Sequence, residues 1–382
     1  MRIGIDYTAA VRQQAGIGRY TRELVSALLN LERGEQSGQG PHRYTLFAAA
    51  GGLPSGAWPS VAEADARIRT IPLSDDWLAR LWQRARLPIP VELFTGPLDL
   101  FYSPDFVLPP TLPRTRTLLT VHDLSFLHYP EHFLPKLVSY LSRAVPRAVA
   151  RADHVLADSA STRADLIAHL GAAPERVEVL YSGVQPRFQP AAEPGERERL
   201  EQRYGLDRRP YILSVGTIQP RKNYARLIRA CARIETEALL VIAGGLGWLY
   251  EEVLFEAERH PDRTRILGFV DDADLPALYR CATLLACPSF YEGFGLPVLE
   301  AMACGTPVVC ADTASLPEVA GEAALLVSPH DDEPWRVALE RALVDETLRR
   351  DMVRRGLQQA AQFTWERAAR QLRAAFDGLL DP

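Results

Sequence analysis

The second half of the chain alternates in a regular way. Short apolar runs occupy 211–216, 238–244, 265–270, 283–288 and 307–311. Amphipathic stretches follow at 222–234, 247–259, 274–281 and from near Pro297, with apolar residues at helical spacing. Uninterrupted apolar strands joined by such helices predict a parallel sheet covered on both faces. The first half is less regular. Ile3 and Ile5 mark a strand; Tyr20, Leu24, Leu28 and Leu31 then share one helical face. Further strands are expected at 44–48, 100–103, 117–121 and 154–157, whereas 51–99 is irregular. Residues 186–208, rich in Pro, Glu and Arg, read as a connection between two domains. Ligands of open parallel sheets bind beyond the carboxyl ends of the strands. The loops at 217–222, 244–247, 269–272 and 289–296 are therefore predicted to border one site.

Length agrees with this division, because 382 residues exceed one ordinary core. The expected organisation is a first α/β domain over 1–185, the connection 186–208, a second α/β domain over 209–363, and a final segment 364–382. The composition, 47% hydrophobic and 24% charged, is that of a soluble globular protein. A net charge of -5 argues against a general nucleic-acid binder. The cysteines number 5 and form no Cys-x-x-Cys pair, so neither a disulfide framework nor a zinc site is expected. The N-terminus reads as a strand rather than a signal peptide, and no apolar run approaches the ~20 residues that span a bilayer. A cytoplasmic protein is expected, soluble or peripheral to the inner face of a membrane.

The densest chemical signal runs from Ser289 to Gly305. Glu292 and Glu300 flank Gly293, Phe294, Gly295, Leu296 and Pro297. Pro297 suits a helix start and Gly305 a helix end. A glycine-bearing loop that opens a helix presents backbone N–H groups to an anion. Two carboxylates beside a phosphate make sense if they hold hydroxyls, and a nucleotide sugar offers hydroxyls on both sugar and ribose. A second signal, Gly216-Thr217-Ile-Gln-Pro-Arg221-Lys222-Asn223, puts two cations after a strand, where they can neutralise a diphosphate. A third, Gln14-Ala-Gly16-Ile-Gly18, lets backbone approach phosphate. Thr21 stands where the dinucleotide fingerprint requires a third glycine, so a nicotinamide-dependent dehydrogenase is not expected. His122-Asp123 ends a strand and reads either as a cleft element or as a structural hydrogen bond. Asp271-Asp272-Ala-Asp274 is read as a helix cap rather than a metal site. Residues 76–87 carry Trp77, Leu81, Trp82 and Ala85 at helical spacing beside Arg80, Arg84 and Arg86. That pattern suits either an interfacial helix or one packed on the first domain.

These motifs together resemble the retaining glycosyltransferases of family 4, which adopt the GT-B fold: two Rossmann-like domains with parallel sheets facing across a cleft. The likeness covers nearly the whole chain and is strongest from Tyr211 to Pro329; it includes Gly16–Gly18, His122-Asp123 and Ala157-Asp-Ser159. The resemblance implies that Gly16 and Gly18 contact the donor diphosphate and that His122 lies by the transferred sugar. It gives Arg221 and Lys222 to the diphosphate, Glu292 and the backbone of Gly293, Phe294, Gly295 and Leu296 to sugar and phosphate, and Glu300 to the ribose. Phe269 and Val270 would border the base, and the final helix would cross back to the first domain. Thr217 stands where many members carry Arg, which leaves the separate roles of Arg221 and Lys222 open. No cofactor and no metal are expected beyond a nucleotide-diphosphate sugar as co-substrate. Gly-Thr with Pro-Arg-Lys-Asn resembles the version in bacterial polysaccharide mannosyl- or rhamnosyltransferases. It points to GDP-mannose as donor and a glycan or lipid-linked acceptor. A nucleotide-sugar epimerase, a glucan synthase and a non-catalytic nucleotide-sugar-binding protein stay open as alternatives.

Overall fold

A computed structural model describes residues 1–13, 16–34, 42–52 and 66–380. Gln14 and Ala15 of the first glycine loop lie outside the described residues, as do 53–65 of the irregular stretch. The chain divides into two compact units: Met1–Leu124, Ser139–Gly183 and Thr364–Pro382 form the first, Ser125–Val138 and Val184–Phe363 the second.

The first unit is built on a 7-stranded sheet of order β3-β2-β1-β4-β5-β6-β7. Its strands are β1 (Arg2–Asp6), β2 (Arg43–Ala49), β3 (Ala66–Ile71), β4 (Leu100–Ser103), β5 (Arg116–Val121), β6 (His154–Ala157) and β7 (Val177–Val179). Every neighbouring pair runs parallel. Ile3, Ile5, Leu100, Tyr102, Leu118 and Leu156 fill its core with Leu24 and Leu28 of the helix Ile17–Gly34. The helix Trp365–Leu380 belongs to this unit and buries Ala368, Ala369, Leu372 and Phe376 in the same core.

The second unit holds a 6-stranded parallel sheet of order β10-β9-β8-β11-β12-β13. Its strands are β8 (Tyr211–Val215), β9 (Leu239–Ala243), β10 (Thr264–Gly268), β11 (Leu284–Cys287), β12 (Val308–Ala311) and β13 (Ala324–Val327). Leu213, Val241, Ile242, Leu285 and Val309 are fully buried, as a sheet covered on both faces requires.

Several local expectations need correction. The expected strands omitted β3, β7 and β13: β3 is an edge strand exposing Arg67 and Arg69, β7 has three residues, and β13 is apolar throughout but only four residues long. Segment 186–208 is more than a connection. It contains the helix Glu196–Tyr204, whose Leu200 is buried and whose Glu196 pairs with Arg280 beneath the surface. The Glu- and Arg-rich composition hid these two inward positions at helical spacing. Segment 125–138, expected within the first domain, groups with the second unit. Finally, the apolar face proposed for 76–87 is split. The chain widens into a π-helical turn over Ala79–Arg84, which changes the residue spacing. Trp82 then packs with Phe47 and Phe94 and donates its indole N–H to the Ile89 carbonyl (3.0 Å), while Trp77 stays 52% exposed.

Candidate active site

The glutamate loop and the paired cations meet in the second unit. Lys222 and Arg221 end the turn Pro220–Lys222 after β8, and Glu292 lies in the loop after β11, the strand beside β8. The Lys222 ammonium donates to Glu292 Oε1 at 2.6 Å, and Arg221 Nη1 reaches Glu292 Oε2 at 3.0 Å. Arg221 also donates to the Tyr291 carbonyl, and the Ser289 hydroxyl donates to Glu292 Oε1 at 2.5 Å. Burial alone would raise the Glu292 carboxyl, but the charges and hydrogen bonds of Lys222 and Arg221 outweigh it and bring its pKa down to about 2. Glu292 is thus an ionised, 7% exposed carboxylate shared by two cations.

The surrounding backbone is shaped for this meeting. Asn223 adopts a left-handed conformation (φ 57°), which Asn tolerates, and donates to the carbonyls of Pro288 (3.1 Å) and Pro329 (2.9 Å). The two loops are joined again where the Phe290 amide donates to the Arg221 carbonyl at 2.9 Å. The Ser315 hydroxyl shares its proton between the carbonyls of Glu292 (2.8 Å) and Phe294 (2.7 Å), holding the turn from behind. Gly295, at φ 111°, then opens the helix Leu296–Ala303 with Pro297 in its first turn. Glu300 sits within that helix, 2% exposed, and accepts from the Tyr279 hydroxyl at 2.8 Å.

The rest of this sheet edge is stitched strand to strand. Amide–carbonyl bonds of 2.8–2.9 Å link Gly216 to Ala243, Ile218 to Gly245, Gly247 to Ile218 and Gly244 to Gly268. The loops after β8, β9 and β10 therefore form one edge with the glutamate loop. Thr217 is exposed on it, Phe269 is 62% exposed, and Val270 beside it is buried.

Gly16, Gly18 and His122 belong to the first unit. A side chain at Gly18 would meet the Gln13 and Ala9 carbonyl oxygens at 2.1 and 2.6 Å, so glycine lets the helix Ile17–Gly34 start against the helix Thr8–Arg12. Gly16 adopts φ 58° with open space where a side chain would stand. For His122, the sequence neighbour Asp123 is not the partner seen. Nδ1 lies 2.7 Å from Asp158 Oδ2 and Nε2 lies 3.0 Å from the Pro104 carbonyl. Both partners accept, so the imidazolium, with a proton on each nitrogen, satisfies both. Burial opposes that charge, but Asp158 and Asp105 overcome it and lift the His122 pKa to about 9.

The acidic stretch 271–274 is occupied by arginines. Asp274 binds Arg203 at 2.7 Å, Arg199 at 3.3 Å and the Tyr204 hydroxyl at 2.8 Å; Asp271 binds Arg203 and Asp272 binds Arg187. Asp274 stands at the N-terminal position of the helix Leu275–Cys281 but its side chain does not cap it. The expected capping role gives way to these ion pairs. Sequence reading also missed Ser289, Asn223 and Ser315. The left-handed Asn after Lys222 carried a faint signal and Ser315 none.

Known proteins share this architecture. Residues 196–359 match the family described as Glycosyl transferases group 1, and residues 15–188 match Glycosyltransferase Family 4. The chain is 36% identical over 279 residues to O-antigen chain mannosyltransferase B of Escherichia coli, covering 71% of this chain and 72% of that protein. It is 39% identical over 245 residues to a D-inositol 3-phosphate glycosyltransferase of Salinispora arenicola, covering 58% of this chain and 54% of that one. In fold it resembles the sucrose-phosphate synthase of Thermosynechococcus elongatus, with a TM-score of 0.77 at 21% identity over 99% of each chain. The protein is a glycosyltransferase: with two parallel α/β sheets of the GT-B kind, the chain belongs to glycosyltransferase family 4.

Proposed function

We propose that this glycosyltransferase moves a mannosyl residue from GDP-mannose to a glycan or lipid-linked acceptor in cell-surface polysaccharide synthesis, retaining the anomeric configuration. The observation that carries the reading is the convergence of Lys222 and Arg221 on Glu292 beside a glycine-opened helix start. The two cations supply charge for a diphosphate, and Glu292 supplies an acceptor for sugar hydroxyls. The similarity to an O-antigen chain mannosyltransferase supports mannose as the sugar.

In the proposed reaction the bond from the sugar's anomeric carbon to the phosphate oxygen breaks. A bond to the acceptor oxygen forms on the same face, and the acceptor's proton passes to the departing phosphate oxygen. Negative charge gathers on the leaving diphosphate, where Lys222 and Arg221 stabilise it more strongly than in the ground state. No metal is invoked; the arginine pairing of Asp271, Asp272 and Asp274 supports that choice, and turnover undiminished by EDTA would agree with it. Among the described residues no helix is long and apolar enough to cross a membrane. We place the reaction in the cytoplasm, with the exposed Trp77, Arg80, Arg84 and Arg86 touching an anionic inner leaflet.

The test is release of GDP from GDP-mannose over a panel of glycan acceptors. Glu292→Ala and Lys222→Ala should each lose tenfold or more, since each removes a charged hydrogen bond worth ~1.5–3 kcal/mol. Wild-type turnover in either variant refutes the assigned roles. A free sugar epimer without transfer would identify an epimerase instead.

A further inference from the structure

After β5 the chain leaves the first unit, and residues 125–138, which include the first turn of the helix Pro135–Arg151, join the second. The excursion is rich in flat side chains: His128, Tyr129, His132 and Phe133. Its middle is a 3-10 turn, Pro130–His132, a geometry that eclipses positions three apart. Tyr129 and His132 accordingly stack face to face, with centroids 5.2 Å apart and planes at 3°. Both rings meet Phe290, at 5.7 and 5.0 Å, and His128 stacks on Tyr291 at 5.1 Å. The Trp248 indole N–H anchors the excursion by donating to the His132 carbonyl at 2.8 Å, and its ring lies 5.8 Å from Phe133. On its other flank Phe290 meets His330 at 5.6 Å and the Arg226 guanidinium at 5.9 Å.

Phe290 and Tyr291 are the two residues before Glu292. Their backbone is tied to the cationic loop as well: the Phe290 amide bonds the Arg221 carbonyl, and Arg221 donates to the Tyr291 carbonyl. The loop ends on the left-handed Gly295 that opens the helix, and it is held from two sides. Ser315 holds the carbonyls of Glu292 and Phe294, and the aromatic stack holds the side chains of 290 and 291. We propose that residues 125–138 are a positioning arm for the glutamate loop, in which Tyr129 and His132 act through Phe290, and His128 through Tyr291, to set the place of Glu292. These are positioning residues, not catalytic ones. Their effect on turnover rests on the donor-site reading above, whereas their effect on the loop does not.

The experiment uses the full chain with the substitutions Tyr129→Ala, Tyr129→Phe and Glu292→Ala. Amide hydrogen exchange, measured without ligand, should speed up at 290–296 in Tyr129→Ala by roughly three- to tenfold, the range expected when an aromatic pair is lost. Tyr129→Phe keeps the ring and should restore the wild-type rate. GDP release from GDP-mannose should fall by a similar factor in Tyr129→Ala and recover in Tyr129→Phe. Unchanged exchange at 290–296 in Tyr129→Ala overturns the proposal, as does faster exchange spread evenly over the second unit. So does turnover at the wild-type rate despite a loosened loop, provided Glu292→Ala abolishes turnover. If Glu292→Ala itself releases GDP at the wild-type rate, the donor-site reading fails, and localised exchange with rescue by Phe still supports the arm.

Discussion

The Lys222 ammonium and the Glu292 carboxylate lie 2.6 Å apart and are both buried. Removing one partner of such a pair leaves the other charge uncompensated. Glu292→Gln should therefore lower stability at neutral pH by about 3 kcal/mol, read from urea unfolding. Added inorganic pyrophosphate should stabilise the variant more than the wild type, because a diphosphate can replace the lost counter-charge. The pH dependence has a definite sign. A depressed carboxyl contributes stability above its ordinary value of 4.5 and loses it as pH falls through about 2. Glu292→Gln should remove that acid-side component, and an unchanged urea midpoint at neutral pH would contradict the pairing.

His122 should behave in the opposite sense. Its pKa is raised from 6.5 to about 9, so its contribution is complete below 6.5 and is lost as pH rises through about 9. Thermal unfolding followed from neutral to alkaline pH should show this decline. Asp158→Asn keeps an oxygen for the hydrogen bond but removes the charge, and should flatten the alkaline limb. An Asp123→Asn variant should leave that limb in place, because Asp158 is the residue bonded to the ring.

Two glycines at this edge should respond differently to alanine. At Gly216 (φ 144°) a new Cβ would stand 3.0 Å from Lys222 Cε, the movable part of a flexible side chain. Gly216→Ala should cost about 1 kcal/mol from backbone strain and displace the ammonium, lowering GDP release more than stability. At Gly244 a Cβ would lie 2.0 Å from the Gly216 carbonyl oxygen, which is backbone and cannot step aside. Gly244→Ala should be the more destabilising of the two in thermal unfolding. The reverse order would contradict the close approach of these loops.

The surface around Trp77 gives a test of membrane contact. Trp77 is exposed, with the Arg80 guanidinium 4.9 Å above its ring, and Arg84 and Arg86 are exposed nearby. The protein should sediment with vesicles containing phosphatidylglycerol and less with phosphatidylcholine alone. Arg80→Ala with Arg84→Ala should weaken that binding and its sensitivity to salt. Equal binding to both vesicle types would argue against an electrostatic contact.

How much of this was readable beforehand varies with the kind of signal. The strands of the second sheet stood out because a buried parallel strand must be apolar on both faces. Strand β3, with Arg67 and Arg69 outward at an edge, lacked that constraint. The motif around Glu292 was visible because glycine, proline and carboxylate are all needed within a few positions. The helix Glu196–Tyr204 was obscured because few of its side chains face inward.

By itself the sequence determined the parallel α/β sheet of the second half, a helix opened near Gly295 and Pro297, and the residue types that make up a diphosphate and sugar site, while the pairing of two such domains followed from the family resemblance. The features determined by the sequence are local: periodicity and backbone freedom are written residue by residue. Only the tertiary structure decided that Lys222 and Arg221 bind Glu292, that His122 is held by Asp158 rather than Asp123, and that residues 125–138 stack beneath the glutamate loop. Such pairings depend on which strand ends lie side by side and on the geometry of each turn. Sequence separations of 70 residues for Lys222–Glu292 and 36 for His122–Asp158 carry no mark of them.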